Sequence, residues 1–182
     1  MMDKKWKDSQ TYQNLKKAYE GELKASGKYR IYAQKAEKDG YRQIHDIFTE
    51  TAGNEQEHAE IWLELLNSGS IPNTLENLRE AYKGEKYEWT QMYQEFAKKA
   101  AEEGYYDISK LFHKVAEIEK HHDYRYERLA QNIMEESVFC KKRENAWICL
   151  NCGYIFYGSC APDKCPVCGF LQGYYQLNCE NY

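Results

Sequence analysis

Residues 54–60 read Asn54-Glu55-Gln56-Glu57-His58-Ala59-Glu60, "NEQEHAE", and the fold turns on why a helix would set Glu55 three residues before His58. Positions i and i+3 share a helix face, and this face also carries Ala52, Ala59 and Trp62. On a solvated face the pair means nothing, because charged residues are common there. On a buried face it requires a partner, because an unpaired buried charge is costly.

The surrounding chain supplies that partner. Up to about residue 138 the only proline is Pro72, and Ala, Glu, Lys, Gln and Leu recur with apolar residues at helical spacing. Breaks at Gly40, at "NSGSIPNT" (67–74) and at Gly104 predict four helices, near 11–38, 42–66, 74–102 and 106–136. Each is about 40 Å long at 1.5 Å per residue. Short turns within pairs and a longer middle connection predict a four-helix bundle.

The two halves repeat. "TYQNLKKAYEGE" (11–22) matches "TLENLREAYKGE" (74–85), an offset of 63. Tyr29 then matches Tyr93, Gly40 matches Gly104, Phe48 matches Phe112, and Glu55/His58 match Glu119/His122, all at an offset of 64. The opening stretch is therefore one of a pair. Glu22 and Glu85, each after a glycine, complete a set of one Glu from each of two helices and Glu-x-x-His from the other two. That set is the carboxylate-bridged di-metal pattern of ferritin-like bundles, and its oxygen and imidazole donors suit iron or manganese, with zinc also admitted. Glu88, three residues after Glu85, is a candidate seventh ligand against the plainer reading of an exposed Glu. Tyr29 and Tyr93 are candidates to support ligand carboxylates, or plain core aromatics. Glu20, Glu57 and His121 point off the ligand face, and His45 and His113 read as ordinary surface or core residues.

The change of offset carries its own expectation. Between Glu85 and Tyr93 the chain has one residue more than between Glu22 and Tyr29. Matching flanks require a continuous helix to absorb it, which predicts a π-bulge that turns Glu85 and Glu88 together; the alternative is a locally tightened first helix.

Composition excludes several classes. The 182 residues suit one domain plus a small one, drawn here at 1–140 and 141–182. A net charge of −4 leaves no basic footprint for nucleic acid. No apolar run is long enough to span a bilayer and the polar start shows no signal peptide, so the expectation is a cytoplasmic protein. All seven cysteines lie between Cys140 and Cys179, which in a reducing compartment favours metal over disulfide.

Within that cluster, Cys149-x-x-Cys152-Gly and Cys165-x-x-Cys168-Gly are separated by twelve residues. Two such knuckles place four thiolates around one metal, iron or zinc. Trp147, Tyr154, Pro162 and Phe170 are the expected apolar shell, and Cys140, Cys160 and Cys179 the expected spare thiols. So small a module has too little core to fold without its metal.

With these motifs in order, "GE", "NEQEHA", "GEKYEW" and "EKHH" followed by "WICLNCGY" and "CPVCG", the chain resembles the rubrerythrin family over nearly its whole length. The fold class expected for the whole chain is all-α: by the resemblance, a ferritin-like four-helix bundle with a di-iron site, followed by a small rubredoxin-like four-cysteine domain. The resemblance implies Glu22, Glu55, His58, Glu85, Glu88, Glu119 and His122 as ligands of two non-haem irons, oxo- and carboxylate-bridged. Cys149, Cys152, Cys165 and Cys168 would hold a third iron. It further implies an oxidative-stress enzyme, a peroxidase that reduces hydrogen peroxide with electrons from a rubredoxin or an external NAD(P)H-dependent reductase. "YEGELKAS" is a looser version of the family's first-helix motif, and the tail after Phe170 carries a cysteine.

Other classes remain open at this point. A ferritin-like iron store predicts large shells, and a zinc-ribbon interaction protein predicts a colourless sample. The distance from the end of the fourth helix to mid-bundle, roughly 20 Å or more, is long for electron transfer. It favours a homodimer or higher homo-oligomer in which one chain's cysteine module serves the other's di-metal centre.

Overall fold

A computed structural model describes residues 4–180. The chain divides into two compact units, Met1–Asn73 and Thr74–Tyr182.

The first unit contains a short helix α1 (Lys4–Lys7), then α2 (Gln10–Lys38) and α3 (Arg42–Leu66) paired as a hairpin. Ser9 starts α2 by accepting the Tyr12 N–H at 3.1 Å on its hydroxyl, the usual N-cap bond. Gly40 ends it with φ +83°, so that Tyr41 N–H can reach Ala36 O at 2.9 Å. That left-handed position is one which side chains rarely tolerate. Between the helices only small residues are buried: Ser26, Ala33, Ala36, Ala52 and Ala59. Alanine lets the helix backbones approach closely, and Ser26 Oγ donates to Ala52 O at 2.8 Å across the seam.

The second unit repeats this construction. It holds α4 (Thr74–Tyr87), a π turn (Glu88–Met92), α5 (Tyr93–Glu102) and α6 (Tyr106–Met134). Ala97, Ala100 and Ala116 are buried 64 positions after Ala33, Ala36 and Ala52. Gly104 has φ +86°, and Tyr105 N–H reaches Ala100 O at 2.8 Å. The aromatic trio repeats too: Tyr29–Phe48 and Tyr93–Phe112 centroids both lie 5.9 Å apart. The duplication read in the sequence is thus a duplication of packing.

The third predicted helix is interrupted where the offset changes. Tyr93 N–H bonds to Glu88 O, an i→i−5 bond, and the π turn Glu88–Met92 absorbs the extra residue. A π turn holds about 4.4 residues where an α turn holds 3.6. Glu85 and Tyr93, eight apart, therefore still share a face, as Glu22 and Tyr29 do at seven.

One expectation is corrected. The C-terminal module is not helical: β1 (Cys140–Cys149), β2 (Ile155–Cys160) and β3 (Tyr175–Leu177) form an antiparallel sheet in the order β2-β1-β3. The all-α class holds only up to Met134. The run Trp147–Tyr157 is rich in aromatic and β-branched residues, which favours strands. Trp147, 1% exposed, centres the small core with Cys149, Ala161, Cys165 and Tyr175, and its indole N–H donates to Gly158 O at 3.0 Å.

Candidate metal centres

Three side-chain clusters have the donors of a metal site. In the first unit, ligand atoms of Glu22, Glu55 and His58 lie within 4.8 Å of one another. α2 supplies one carboxylate and α3 supplies the pair. His58 Nδ1 sits 3.0 Å from Glu55 Oε2, so Nδ1 is the nitrogen turned toward the carboxylates. In the second unit, Glu85, Glu119 and His122 converge in the same way. His122 Nδ1 is 2.7 Å from Glu119 Oε2 and 3.8 Å from Glu85 Oε2.

Glu88 stands outside this triad but beside it. Burial, the adjoining Glu119 carboxylate and the Glu88 charge hold the Glu85 carboxyl above its ordinary range, against the pull of His122. Crowded carboxylates of this kind are what a bound cation relieves, and the donor set of acids and imidazoles fits iron. Tyr93 is half-buried against the same acids. Burial first, then the charges of Glu88, Glu119 and Glu85, raise its phenol. In α2 the residue three after Glu22 is Ala25, so only the second unit has the additional carboxylate.

The π turn is pinned on its other side. Trp89 Nε1 donates to Asp123 Oδ2 at 2.9 Å, Gln94 Nε2 donates to Trp89 O at 3.1 Å, and Lys120 lies over the Trp89 ring. Sequence reading missed Trp89 and Asp123. Their only signal is that Asp123 follows His122, a candidate ligand.

The remaining histidines lie off these clusters. His45 pairs with Asp46 at 2.9 Å, His121 is within 3.4 Å of Arg125, and His113 is exposed.

The third cluster is Cys149, Cys152, Cys165 and Cys168. Cys149 Sγ lies 3.7 Å from Cys168 Sγ, and Cys152 Sγ 3.7 Å from Cys165 Sγ. The two knuckles are copies. Gly153 (φ +78°) donates to Cys149 O at 2.8 Å, and Gly169 (φ +76°) donates to Cys165 O at 2.9 Å. Glycine is required at both turns. Burial pushes the Cys165 thiol up, yet the Tyr175 hydroxyl and the N–H groups of Cys168 and Val167 outweigh it and bring it down to about 6. Tyr175 Oη is buried and has no properly aligned hydrogen-bond partner; facing thiolates give it one. Four sulfurs around one point, with such donors, fit a tetrahedral metal.

Two expectations about this module change. Cys140 and Cys160 are not spare thiols: they are joined as a disulfide. They are directly paired positions on antiparallel β1 and β2, which brings their Cα atoms to 4.0 Å. Cys179 alone stays outside, free and exposed. Phe170 is also displaced from the expected shell. It packs edge-on to Tyr174 at the surface, while Phe156 and Tyr175 fill the interior instead.

The chain is similar to known proteins over nearly its whole length. The family model "Rubrerythrin" matches residues 13–130, and "Rubrerythrin, rubredoxin-like domain" matches residues 147–176. Rubrerythrin-1 of Clostridium acetobutylicum is 42% identical over 194 aligned positions, which cover 98% of this chain and all of that protein. Rubrerythrin of Porphyromonas gingivalis is 39% identical, covering 100% of this chain and 96% of its own. A structure of nigerythrin in a partially reduced state is 29% identical, covering 93% of this chain and 87% of that one, with a TM-score of 0.36.

Proposed function

The chain belongs to the rubrerythrin family of di-iron oxidative-stress oxidoreductases, and from that premise we propose that it is a peroxidase that reduces hydrogen peroxide to water. The observation that carries this reading is one chain holding two carboxylate–imidazole triads and a four-thiolate cluster. Storage has no use for a one-electron module. A two-electron reduction that must be recharged one electron at a time does.

The balance is hydrogen peroxide plus two electrons and two protons giving two waters. Glu22, Glu55, His58, Glu85, Glu88, Glu119 and His122 would hold an iron pair able to supply the two electrons, and the four cysteines would hold an iron able to return them one at a time. The protein's part is positional. The Glu55 and Glu119 carboxylates face Nδ1 of His58 and His122, and Tyr93 stands beside the acids of the second triad. The Trp89–Asp123 bond fixes the segment that carries Glu88.

We place the domain boundary at 140/141. The helical hairpins are read as completing a ferritin-like four-helix bundle in a homodimer or higher homo-oligomer. The electron donor is taken as an external NAD(P)H-dependent reductase or a rubredoxin, and the setting as cytoplasmic. No helix among the described residues is long and apolar enough to cross a membrane. The test is stopped-flow mixing of the reduced protein with hydrogen peroxide or with dioxygen. Much faster oxidation by peroxide is expected; equal rates would sink the peroxidase reading.

A further inference from the structure

Five of the seven cysteines are free, and among the described residues the one disulfide joins Cys140 to Cys160. Four of the free thiols form the metal cluster and must stay reduced to bind. The chain therefore works where thiols are kept reduced. In such surroundings a disulfide persists because it is shielded or because an oxidant keeps remaking it.

Shielding does not describe this one. Cys160 is exposed and Cys140 only half-buried. Cys140 borders an open cavity of about 620 Å³, lined also by Arg128, Lys141, Lys142, Glu135 and Glu136. Three cations against two carboxylates leave that wall positive. Lys141, next to Cys140 in the chain, is held in place by donating its ammonium to Ser137 O. Cations beside a cysteine favour its thiolate, the form that attacks and the form that leaves when a disulfide opens.

The strands hold the two sulfurs as a pair. β1 and β2 run in register from Asn145↔Gly158 to Ile148↔Ile155, and pair again at Cys140↔Cys160. Between these, β1 spends five positions where β2 spends two, so a bulge separates the cysteines from the regular ladder. On the far side of the pair, Ala161 N–H donates to Phe139 O at 2.8 Å. With the ladder on one flank and this bond on the other, the two thiols stay within reach of each other when the disulfide is open.

We propose that Cys140 and Cys160 form a second peroxide-reducing site, a reversible dithiol–disulfide pair apart from the carboxylate clusters. The thiolate of Cys160, the more exposed residue, attacks a peroxide oxygen. The O–O bond breaks, hydroxide leaves and is protonated to water, and Cys160 becomes a sulfenic acid. The Cys140 thiolate then attacks that sulfur, the S–O bond breaks, and a second hydroxide leaves as water while the S–S bond forms. Two thiols and one hydrogen peroxide give one disulfide and two waters, with the two electrons drawn from the sulfurs. A dithiol reductant reverses this by exchange: one of its thiolates bonds to the Cys160 sulfur, the Cys140 thiolate leaves beside the cationic wall, and the second thiol releases the mixed disulfide. The choice of peroxide as oxidant rests on the peroxidase reading; the pair itself does not.

The test uses the full-length holoprotein, with reduced thioredoxin and its NADPH-linked reductase as the dithiol probe. Alkylation with iodoacetamide and peptide mass mapping count open thiols, while four-cysteine iron absorption reports folding. Cys140 and Cys160 should both become alkylated in the folded protein. After removal of the probe, hydrogen peroxide should rejoin them roughly tenfold faster than it oxidises Cys179, the exposed free thiol of the same chain. A disulfide that opens only in urea overturns the proposal, and so does a dithiol that peroxide closes no faster than it oxidises Cys179.

A second measurement traps the intermediate. In Cys140→Ser the sulfenic acid on Cys160 has no partner thiol, and dimedone should label it after peroxide treatment. No adduct at Cys160 in a sample that keeps its four-cysteine iron absorption overturns the proposal. Closure by peroxide should persist in Glu119→Ala/His122→Ala, which removes two of the carboxylate-site donors. Loss of closure in that variant would place the oxidation at the carboxylate site and contradict a second one. Normal closure in the parent protein, together with equal oxidation of its irons by peroxide and dioxygen, would count against the peroxidase reading alone.

Discussion

Trp89 Nε1 and Asp123 Oδ2 are joined at 2.9 Å, so the π turn that begins at Glu88 is tied to the residue next to His122, a candidate ligand. Trp89→Phe keeps most of the ring and removes the donor, leaving a half-buried carboxylate short of a partner. Urea unfolding followed by circular dichroism should show a loss of about 1–3 kcal/mol. An unchanged midpoint would mean that water replaces the bond without cost.

Glu88 is the residue that distinguishes the second triad from the first. Glu88→Ala should leave the four-cysteine iron absorption intact and weaken iron binding at the carboxylate sites by about 10–100-fold. Competition with a chelator of known affinity measures this. Unaltered affinity would make Glu88 a bystander.

The Cys140–Cys160 disulfide closes a loop that contains the whole first knuckle, with a sequence separation of 20. Cross-linking a loop of that size stabilises by about 3 kcal/mol through the unfolded chain. Cys140→Ser/Cys160→Ser should therefore bind metal through the other four cysteines while its C-terminal module unfolds at lower temperature. Thermal loss of the thiolate-to-iron absorption, compared with the parent protein, checks it.

Removing the thiolate-bound iron should unfold the sheet and spare the helices, because among the described residues only five make up that module's buried core. Near-ultraviolet circular dichroism from Trp147 should vanish while the helical signal at 222 nm persists. A parallel Trp147→Ala variant should lose about 3–5 kcal/mol from the module.

The helical part was legible because its signals are periodic. Alanine and ligand positions repeat at 63 or 64, and the slip between these offsets located the π turn at Glu88–Met92. Glu22, Glu55 and His58 gather in one triad and Glu85, Glu119 and His122 in another. The sheet module was legible only at its cysteines. Cys140 and Cys160 become neighbours through strand pairing, which no local spacing announces. Tyr175 reaches Cys165 through the core and has no motif of its own. Trp89 and Asp123 meet across two helices, 34 positions apart. Contacts set by register or by tertiary packing escape a reading of one chain, whereas contacts set by helical period do not.

The π turn that starts at Glu88 marks a difference that bears on how the protein loads. With perfect copies the two metal positions would be degenerate, and ions would enter either one at random. Glu88 stands beside one triad, whereas Ala25 occupies the corresponding place in the other. Degeneracy is lifted by one carboxylate. Titration of the metal-free protein with ferrous ion under anaerobic conditions should then resolve two steps, the first at the Glu85–Glu119–His122 side, and the order of filling becomes a property of that one side chain.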